Sequence, residues 1–294
     1  MPELPDVTIY VESLAARVIG QPLEHLTIKT PFVLRSVSPP ISAAQGRRVS
    51  GVRRLGKRIV LDMGDEMFVV IHLMIAGRLR WRAPGAKMPA GNLLATFHFP
   101  TGVLALTEAG STRRASLHIV QGEAALREMD RGGIEPLEID LATFAEQLGR
   151  ENHTLKRSLT DPRIFSGIGN AYSDEILHRA RLSPLALSRK LSPEEVSRLY
   201  EAVQVVLREW TDRLRAQLGG EFPEKVTAFR DEMSVHGRYG KPCPVCGTTV
   251  QRIRYASNET NYCARCQTGG RLLADRAMSR LLREDWPKSI DELE

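Results

Sequence analysis

The chain has only four cysteines in 294 residues, all in its last third, so a disulfide-rich secreted scaffold is excluded. No apolar run is long enough to span a membrane, and no amphipathic segment pairs basic charge with exposed Trp or Phe, which argues against a membrane partner. The N-terminus lacks the basic stretch and apolar core of a secretory signal. There is no internal repeat and no low-complexity tract, so repeat architectures are excluded. What remains is an ordinary globular composition, 42% hydrophobic and 26% charged, long enough for two domains with real cores.

The four cysteines are arranged as Cys243-Pro-Val-Cys246 and, sixteen residues on, Cys263-Ala-Arg-Cys266. Each CxxC knuckle turns two thiolates toward one point, and the residues between can form a hairpin, so the set predicts one tetrahedral structural Zn²⁺. A redox pair or two disulfides would need a thioredoxin-like context or an oxidising compartment, and neither is indicated. An intracellular protein is expected.

Charge concentrates at the same place. The chain carries 41 Lys and Arg against 35 Asp and Glu, a net +6. Residues 241–283 hold Lys241, Arg252, Arg254, Arg265, Arg271, Arg276, Arg280 and Arg283 against Glu259 and Asp275, so this segment accounts for the whole excess. With four thiolates and one Zn²⁺ the segment still carries about +4. A polyanion is the natural partner, and nucleic acid is favoured.

Leu4, Val7, Val11, Leu14 and Val18 recur at three and four, with Pro5 and Asp6 in the first turn and Gly20 at the end, which predicts a helix. The period then falls to two over 58–63, 67–73 and 95–106, with a Gly64-Asp65 turn, as in antiparallel strands. After Gly132-Gly133 the pattern is helical over 141–148, 155–159 and 171–180, and Ser192-Pro-Glu-Glu195 is a capping box opening a helix toward Trp210. The boundary is expected near 130–150.

Three further stretches have two readings each. Gly167-Ile-Gly-Asn170 can converge backbone N–H groups on a phosphate at a helix start, or be a simple helix–helix turn. Arg47-Arg48, Arg53-Arg54 and Lys57-Arg58 place six cations and no acid in twelve residues, either a solvated strand face or a nucleic-acid contact. The opening Met1-Pro2-Glu3-Leu4-Pro5-Asp6 is either a capped helix start or, after removal of Met1, a nucleophile. A terminal amine has a pKa near ~8 against ~10.4 for Lys, so part of it is unprotonated at neutral pH. Its attack on C1′ of a deoxyribose would give an iminium ion, with Glu3 as the acid opening the sugar ring. If Met1 persists, the Pro2 nitrogen is an amide and this chemistry is lost.

PELPDV at the start, LGKR around Lys57, HLMIAGRL at 72–79, GIGNAYSDE at 167–175, VHGRYGKPCPVCG at 235–247 and NYCARCQ at 261–267 together resemble the formamidopyrimidine-DNA glycosylase and endonuclease VIII family, in order over residues 1–268. The resemblance implies an α+β protein: an N-terminal antiparallel β-sandwich flanked by helices (1–132), a helix-two-turn-helix domain (133–240), a four-cysteine zinc hairpin (241–268) and a basic helical tail (269–294), with DNA held in the cleft between the domains. It implies a bifunctional glycosylase and AP lyase of base excision repair acting on damaged bases, most readily oxidised ones. Its partner would be DNA with damaged or abasic sites, and the protein a cytoplasmic, nucleoid-associated monomer. Pro2 would be the Schiff-base nucleophile, Glu3 the proton donor, and Lys57 a phosphate contact and a proton donor in β-elimination. Lys156 and Asn170 would grip phosphates around an everted nucleotide.

The chain departs from the family pattern at several points. Asn258, in Ser257-Asn-Glu-Thr260, stands where the family carries an arginine linked to δ-elimination, and a neutral amide cannot supply that charge unless Arg254 or Arg265 does. The wedge loop reads Arg113-Arg114-Ala115-Ser116 after the lead Glu108-Ala-Gly-Ser-Thr112, without a ring at 115, and the void-filling methionine is displaced to Met74. Near the N-terminus, Asp6 replaces a glutamate. Leu272, Leu273, Leu281 and Leu282 predict a tail helix, either docked on the helical domain or adding DNA backbone contacts. Two rivals remain: a lyase-only or non-catalytic DNA binder on the same scaffold, and a zinc-ribbon RNA-binding protein.

Overall fold

The computed structural model describes residues 1–87, 91–110, 112–227, 229–255 and 258–293. Ser111 and Ser257, which fall in two of the predicted loops, lie outside the described residues. The chain divides into two compact units, Met1–Arg131 with Trp210–Thr227 and Gly132–Glu209 with Ala228–Glu294.

In the first unit the opening heptad-like pattern is helix α1 (Leu4–Val18), started by a capping box in which the Glu3 carboxylate accepts the Asp6 N–H and Asp6 accepts the Glu3 N–H at 3.0 Å. The alternating stretches form two four-stranded antiparallel sheets. One contains β1 (His25–Ile28), β5 (Gly77–Arg82), β6 (Leu93–Phe99) and β7 (Gly102–Glu108), in the order β1-β6-β7-β5. The other contains β2 (Gly51–Leu55), β3 (Arg58–Asp62), β4 (Met67–His72) and β8 (Ser116–Gln121), in the order β2-β3-β4-β8. Alternation sorts the side chains of β3: Ile59 and Leu61 enter the main core with Val69, Ile71, Phe97, Leu104 and, from α1, Val7, Tyr10 and Leu14. Val60 turns the other way, to Phe68, Val70 and Leu126 of helix α2 (Glu123–Glu128). Each such buried side chain contributes about 1.5–3 kcal/mol.

Residues 210–227, which the sequence pattern groups with the helical region 133–240, pack instead with the sandwich. Phe222 lies 5.9 Å from the Tyr10 ring and 6.2 Å from Trp81, Val226 enters the core, Glu224 pairs with Arg82, and Arg215 pairs with Glu12 at 2.7 Å.

The second unit contains α3 (Leu141–Gly149), α4 (Leu155–Thr160), α5 (Asn170–Ala180) and the residues of α6 (Pro193–Leu218) up to Glu209. The predicted box opens α6: Ser192 donates its N–H to Glu195 Oε2 at 3.0 Å and its Oγ accepts the Glu195 N–H at 3.3 Å. A two-stranded hairpin, β9 (Gln251–Tyr255) and β10 (Asn258–Tyr262), and a short helix α7 (Ala264–Thr268) make the finger.

The tail differs from both sequence readings. Its helix α8 (Arg276–Leu282) leaves Leu281 75% exposed, while Leu272 and Leu273, which lie before the helix, and Ile290, which lies after it, are buried against Ile253, Tyr262 and Ala264 of the finger. The Leu273 N–H donates to the Tyr262 hydroxyl at 2.8 Å, the Arg254 N–H to Asp275 at 3.0 Å, and Arg265 pairs with Asp291 at 2.5 Å. Leu272 and Leu273 therefore dock on the hairpin through a segment that is not helical. Nor is the tail basic: residues 269–294 contain five Lys and Arg against six Asp and Glu.

Candidate active site and metal centre

At the start of α1, Pro2 and Glu3 are buried, Glu3 to 3% exposure. Burial lowers the pKa of the Met1 α-amine, next to Pro2, below the usual 8.0; Glu3 opposes this, and Arg78 and Lys57 lower it further. Two cations therefore lie close enough to favour the unprotonated amine. Lys57 occupies the β2–β3 turn, where Gly56 takes a positive φ of 60° and its carbonyl accepts Arg54 Nη1 at 2.7 Å. His72, the last residue of β4, is held neutral: burial first, then Arg58 and Lys57, push it down to about 4. Arg78 and His72 both lie in the 72–79 motif, yet neither stands out by residue type alone. Their role shows only when the fold sets Arg78 and Lys57 beside the amine and Lys57 beside His72.

The displaced methionine, Met74, lies in the turn 73–77. Gly77 donates its N–H to the Leu73 carbonyl at 2.9 Å, and a Cβ at residue 77 would collide with that carbonyl. Met74 takes a positive φ of 51° and is half-buried, while Ile75 is 58% exposed at the tip. Arg113 and Arg114 are exposed; Arg113 Nη1 donates to Thr30 Oγ1 at 3.3 Å. Ala115 is buried in the core, and its N–H and that of Arg114 donate to the buried Glu108 carboxylate at 3.0 and 2.9 Å. Nothing at residue 115 reaches solvent.

The six-cation stretch is largely engaged within the protein. Arg47 pairs with Asp65 at 3.0 Å, Arg53 with Glu123 at 3.1 Å, and Arg48 and Arg54 donate to the Gly20 and Gly56 carbonyls.

In the second unit, Gly167, at φ 81°, and Gly169 deliver the chain to Asn170, the first residue of α5. Lys156 is not an open phosphate contact: its Nζ lies 2.5 Å from Asp174 Oδ1 and 2.7 Å from the Asn170 carbonyl, and its side chain is 13% exposed. Asp174, fully buried, also accepts His236 Nδ1 at 2.8 Å and the Asn261 N–H at 3.2 Å. Glu175 accepts the N–H groups of Ser234, Val235 and His236 at 2.7–2.9 Å, although burial raises its pKa. Asn170 Nδ2 donates to the Glu259 carbonyl at 2.9 Å. On the hairpin Arg254 and Asn258 are exposed, and Arg252 stacks over Tyr239 at 4.0 Å. Arg265, the other candidate to replace a missing arginine, is held by Asp291.

The sulfurs of Cys243, Cys246, Cys263 and Cys266 lie within 4.8 Å of one another, with Cys243–Cys266 at 4.0 Å and Cys246–Cys263 at 3.4 Å. Tetrahedral Zn–S bonds of about 2.3 Å require S···S edges of about 3.8 Å, so the donor set fits one structural Zn²⁺ with no open position. The Val245 N–H points at Cys243 Sγ at 3.4 Å, as a metal knuckle needs. His178 of α5 places Nε2 3.3 Å from the same sulfur and is held neutral, pushed down to about 4 by burial and Arg181. No described helix is long and apolar enough to cross a membrane.

Comparison with known proteins agrees with this architecture. Residues 1–114 match the formamidopyrimidine-DNA glycosylase N-terminal domain, 133–214 its H2TH domain, and 240–269 a zinc finger found in FPG and IleRS. The chain is 34% identical over 279 residues to the formamidopyrimidine-DNA glycosylase of Heliobacterium modesticaldum, covering 91% of this chain and all of that one. It is 42% identical over 151 residues to an uncharacterized formamidopyrimidine-DNA glycosylase-like protein of Mycobacterium tuberculosis, covering 51% of this chain and 94% of that one. In fold it is similar to the Lactococcus lactis formamidopyrimidine DNA glycosylase non-covalently bound to DNA containing an AP site, with a TM-score of 0.78 at 24% identity over 90% of this chain and 99% of that one.

Proposed function

Because the chain belongs to the formamidopyrimidine-DNA glycosylase family, we propose that it is a bifunctional DNA glycosylase and AP lyase of base excision repair, acting on damaged DNA in the cytoplasm at the nucleoid. The observation that supports this most is the start of α1, where Pro2 and Glu3 are buried and the adjoining Met1 amine has its pKa lowered by burial first and then by Arg78 and Lys57, so two cations stand at the chain start. Removal of Met1 leaves a secondary amine on Pro2. Its lone pair attacks C1′ as the glycosidic bond breaks and the base leaves with the bonding electrons. Glu3 donates a proton to the ring oxygen, opening the sugar to an iminium ion. The iminium acidifies the 2′ protons; loss of one expels the 3′ phosphate, with Lys57 beside the departing group. We assign DNA contacts to Met74, Arg113, Arg114, Asn170, Arg254 and Arg265; Lys156, expected to grip phosphate itself, acts instead indirectly by fixing the Asn170 backbone.

Borohydride trapping on abasic DNA tests the reading. Protein beginning at Pro2 should form a covalent adduct, Pro2→Gly should weaken it, and Glu3→Gln should abolish base release while keeping some lyase activity. Full activity in protein whose intact mass retains Met1 would refute it. The buried Ala115 also supports a second reading, a lyase without a wedge that acts only on sites already abasic. Release of a modified base from an intact lesion separates the two.

A further inference from the structure

Helix α5 meets the finger along one line of its surface. Asn170, Asp174 and His178 recur every four residues and so project from the same face. Each bonds to the segment that follows residue 240: Asn170 Nδ2 to the Glu259 carbonyl, Asp174 Oδ2 to the Asn261 N–H, and His178 Nε2 to Cys243 Sγ. The line ends on a metal ligand. Cys243 is 2% exposed and His178 5%, so bulk water is not the partner of either group.

A metal-bound thiolate accepts hydrogen bonds and donates none. The ring nitrogen facing it must carry the proton, which assigns the tautomer of His178 from its partner. We propose that His178 is a positioning residue of the zinc site, donating Nε2–H to the Cys243 thiolate and so tying the metal to the helix whose first residue is Asn170. The proposal rests on the reading that the four cysteines hold Zn²⁺. Such a donor fixes the orientation of the sulfur and delocalises part of its charge, and losing an outer partner of this kind typically costs about 10- to 100-fold in metal affinity. At the far end of the helix, the Asn170 side chain is fixed on the hairpin by the same docking line.

The test uses the full-length zinc protein. His178→Phe keeps a ring of similar volume and removes the donor; His178→Gln restores an N–H at similar reach. Zinc transfer to an excess of a chromophoric chelator should be about 10- to 100-fold faster in H178F, and close to wild type in H178Q. In the cobalt-substituted protein the thiolate-to-metal charge-transfer band should move to lower energy in H178F, because an unbonded thiolate gives up its electron more easily, and return in H178Q. A residue that merely fills space would change thermal stability without moving that band. Unchanged release and an unchanged band in H178F, at one zinc per chain, would overturn the proposal; the same comparison with His178→Leu decides it if H178F does not fold. Wild-type protein without bound zinc would instead overturn the zinc reading itself.

Discussion

The two units bury different things. The first unit is held by aliphatic and aromatic side chains from two sheets and α1, and its buried charges are few: Glu3 and Asp6 at the helix start and Glu108 under the wedge loop. The second hides Asp174, Glu175, His178 and His236 around one helix and adds the buried thiols of Cys243 and Cys263. Apolar burial is non-directional and tolerates small shifts, whereas a buried charge holds only if every partner is in place. The sandwich is therefore the unit more tolerant of local change, and the second unit holds a finger whose position depends on ionic and metal contacts.

The strongest way to break that contrast is to remove the metal. Structural Zn²⁺ contributes about 10–16 kcal/mol of apparent folding energy in isolated fingers. Chelation, or Cys246→Ser, should strip hydrogen-exchange protection from 234–268 while β4 and β7 of the sandwich keep theirs, and DNA affinity should fall before chemistry at Pro2 changes. Equal loss in both units, or fully active protein without zinc, would show the contrast to be false. Next comes Asp174→Leu, which leaves Lys156 and His236 without their carboxylate and should cost about 3–5 kcal/mol by urea unfolding. A loss below 1 kcal/mol would mean that the pair adds nothing to the second unit.

Acid should sharpen the comparison from the other side. His72 titrates at about 4 in the fold and near 6.5 when unfolded, so between those values the unfolded chain binds more protons. Stability present above pH 6.5 is lost as pH falls toward 4, on the order of 3 kcal/mol for this group, and the lowered pKa of His118 acts in the same direction. His72→Gln should flatten the pH dependence measured at β4. A slope unchanged by the substitution would assign the acid sensitivity elsewhere. The smallest expected effect is at Asn258. Asn258→Arg should add a charge-assisted phosphate contact worth about 1–2 kcal/mol, roughly tenfold tighter DNA binding at moderate salt, and increase the δ-elimination product on gels. Complete β,δ product from the unaltered protein would mean that another basic residue of the hairpin already acts there, and exposed Arg254 is then the candidate, since Arg265 is held by Asp291.

Much of this organisation is legible in the sequence because it is written at short range. The period of α1, the alternation of β3 and β4, the Ser192 capping box and the two CxxC knuckles each depend on residues a few positions apart, and all stand as expected. What was not legible depends on distant partners. Arg265 finds Asp291 26 residues away, and Arg82 finds Glu224 142 residues away. Residues 210–227 carry the helical pattern of their neighbours, and Val226 in the core, Phe222 packed against it and the ion pairs of Glu224 and Arg215 reveal where they belong. The arginines at 47–54 read as available charge, and it is their acids and carbonyls that remove them from that role.

The closure of the 73–77 turn on the Leu73 carbonyl has an evolutionary consequence. Selection can act on the tip of this loop without disturbing its frame, because Ile75 touches little and Gly77 admits no side chain. A library randomised at residue 75 should yield many folded members with altered substrate preference, while one randomised at residue 77 should return glycine almost alone. The tip of the loop is thus a place where this chain can vary at little risk to its fold.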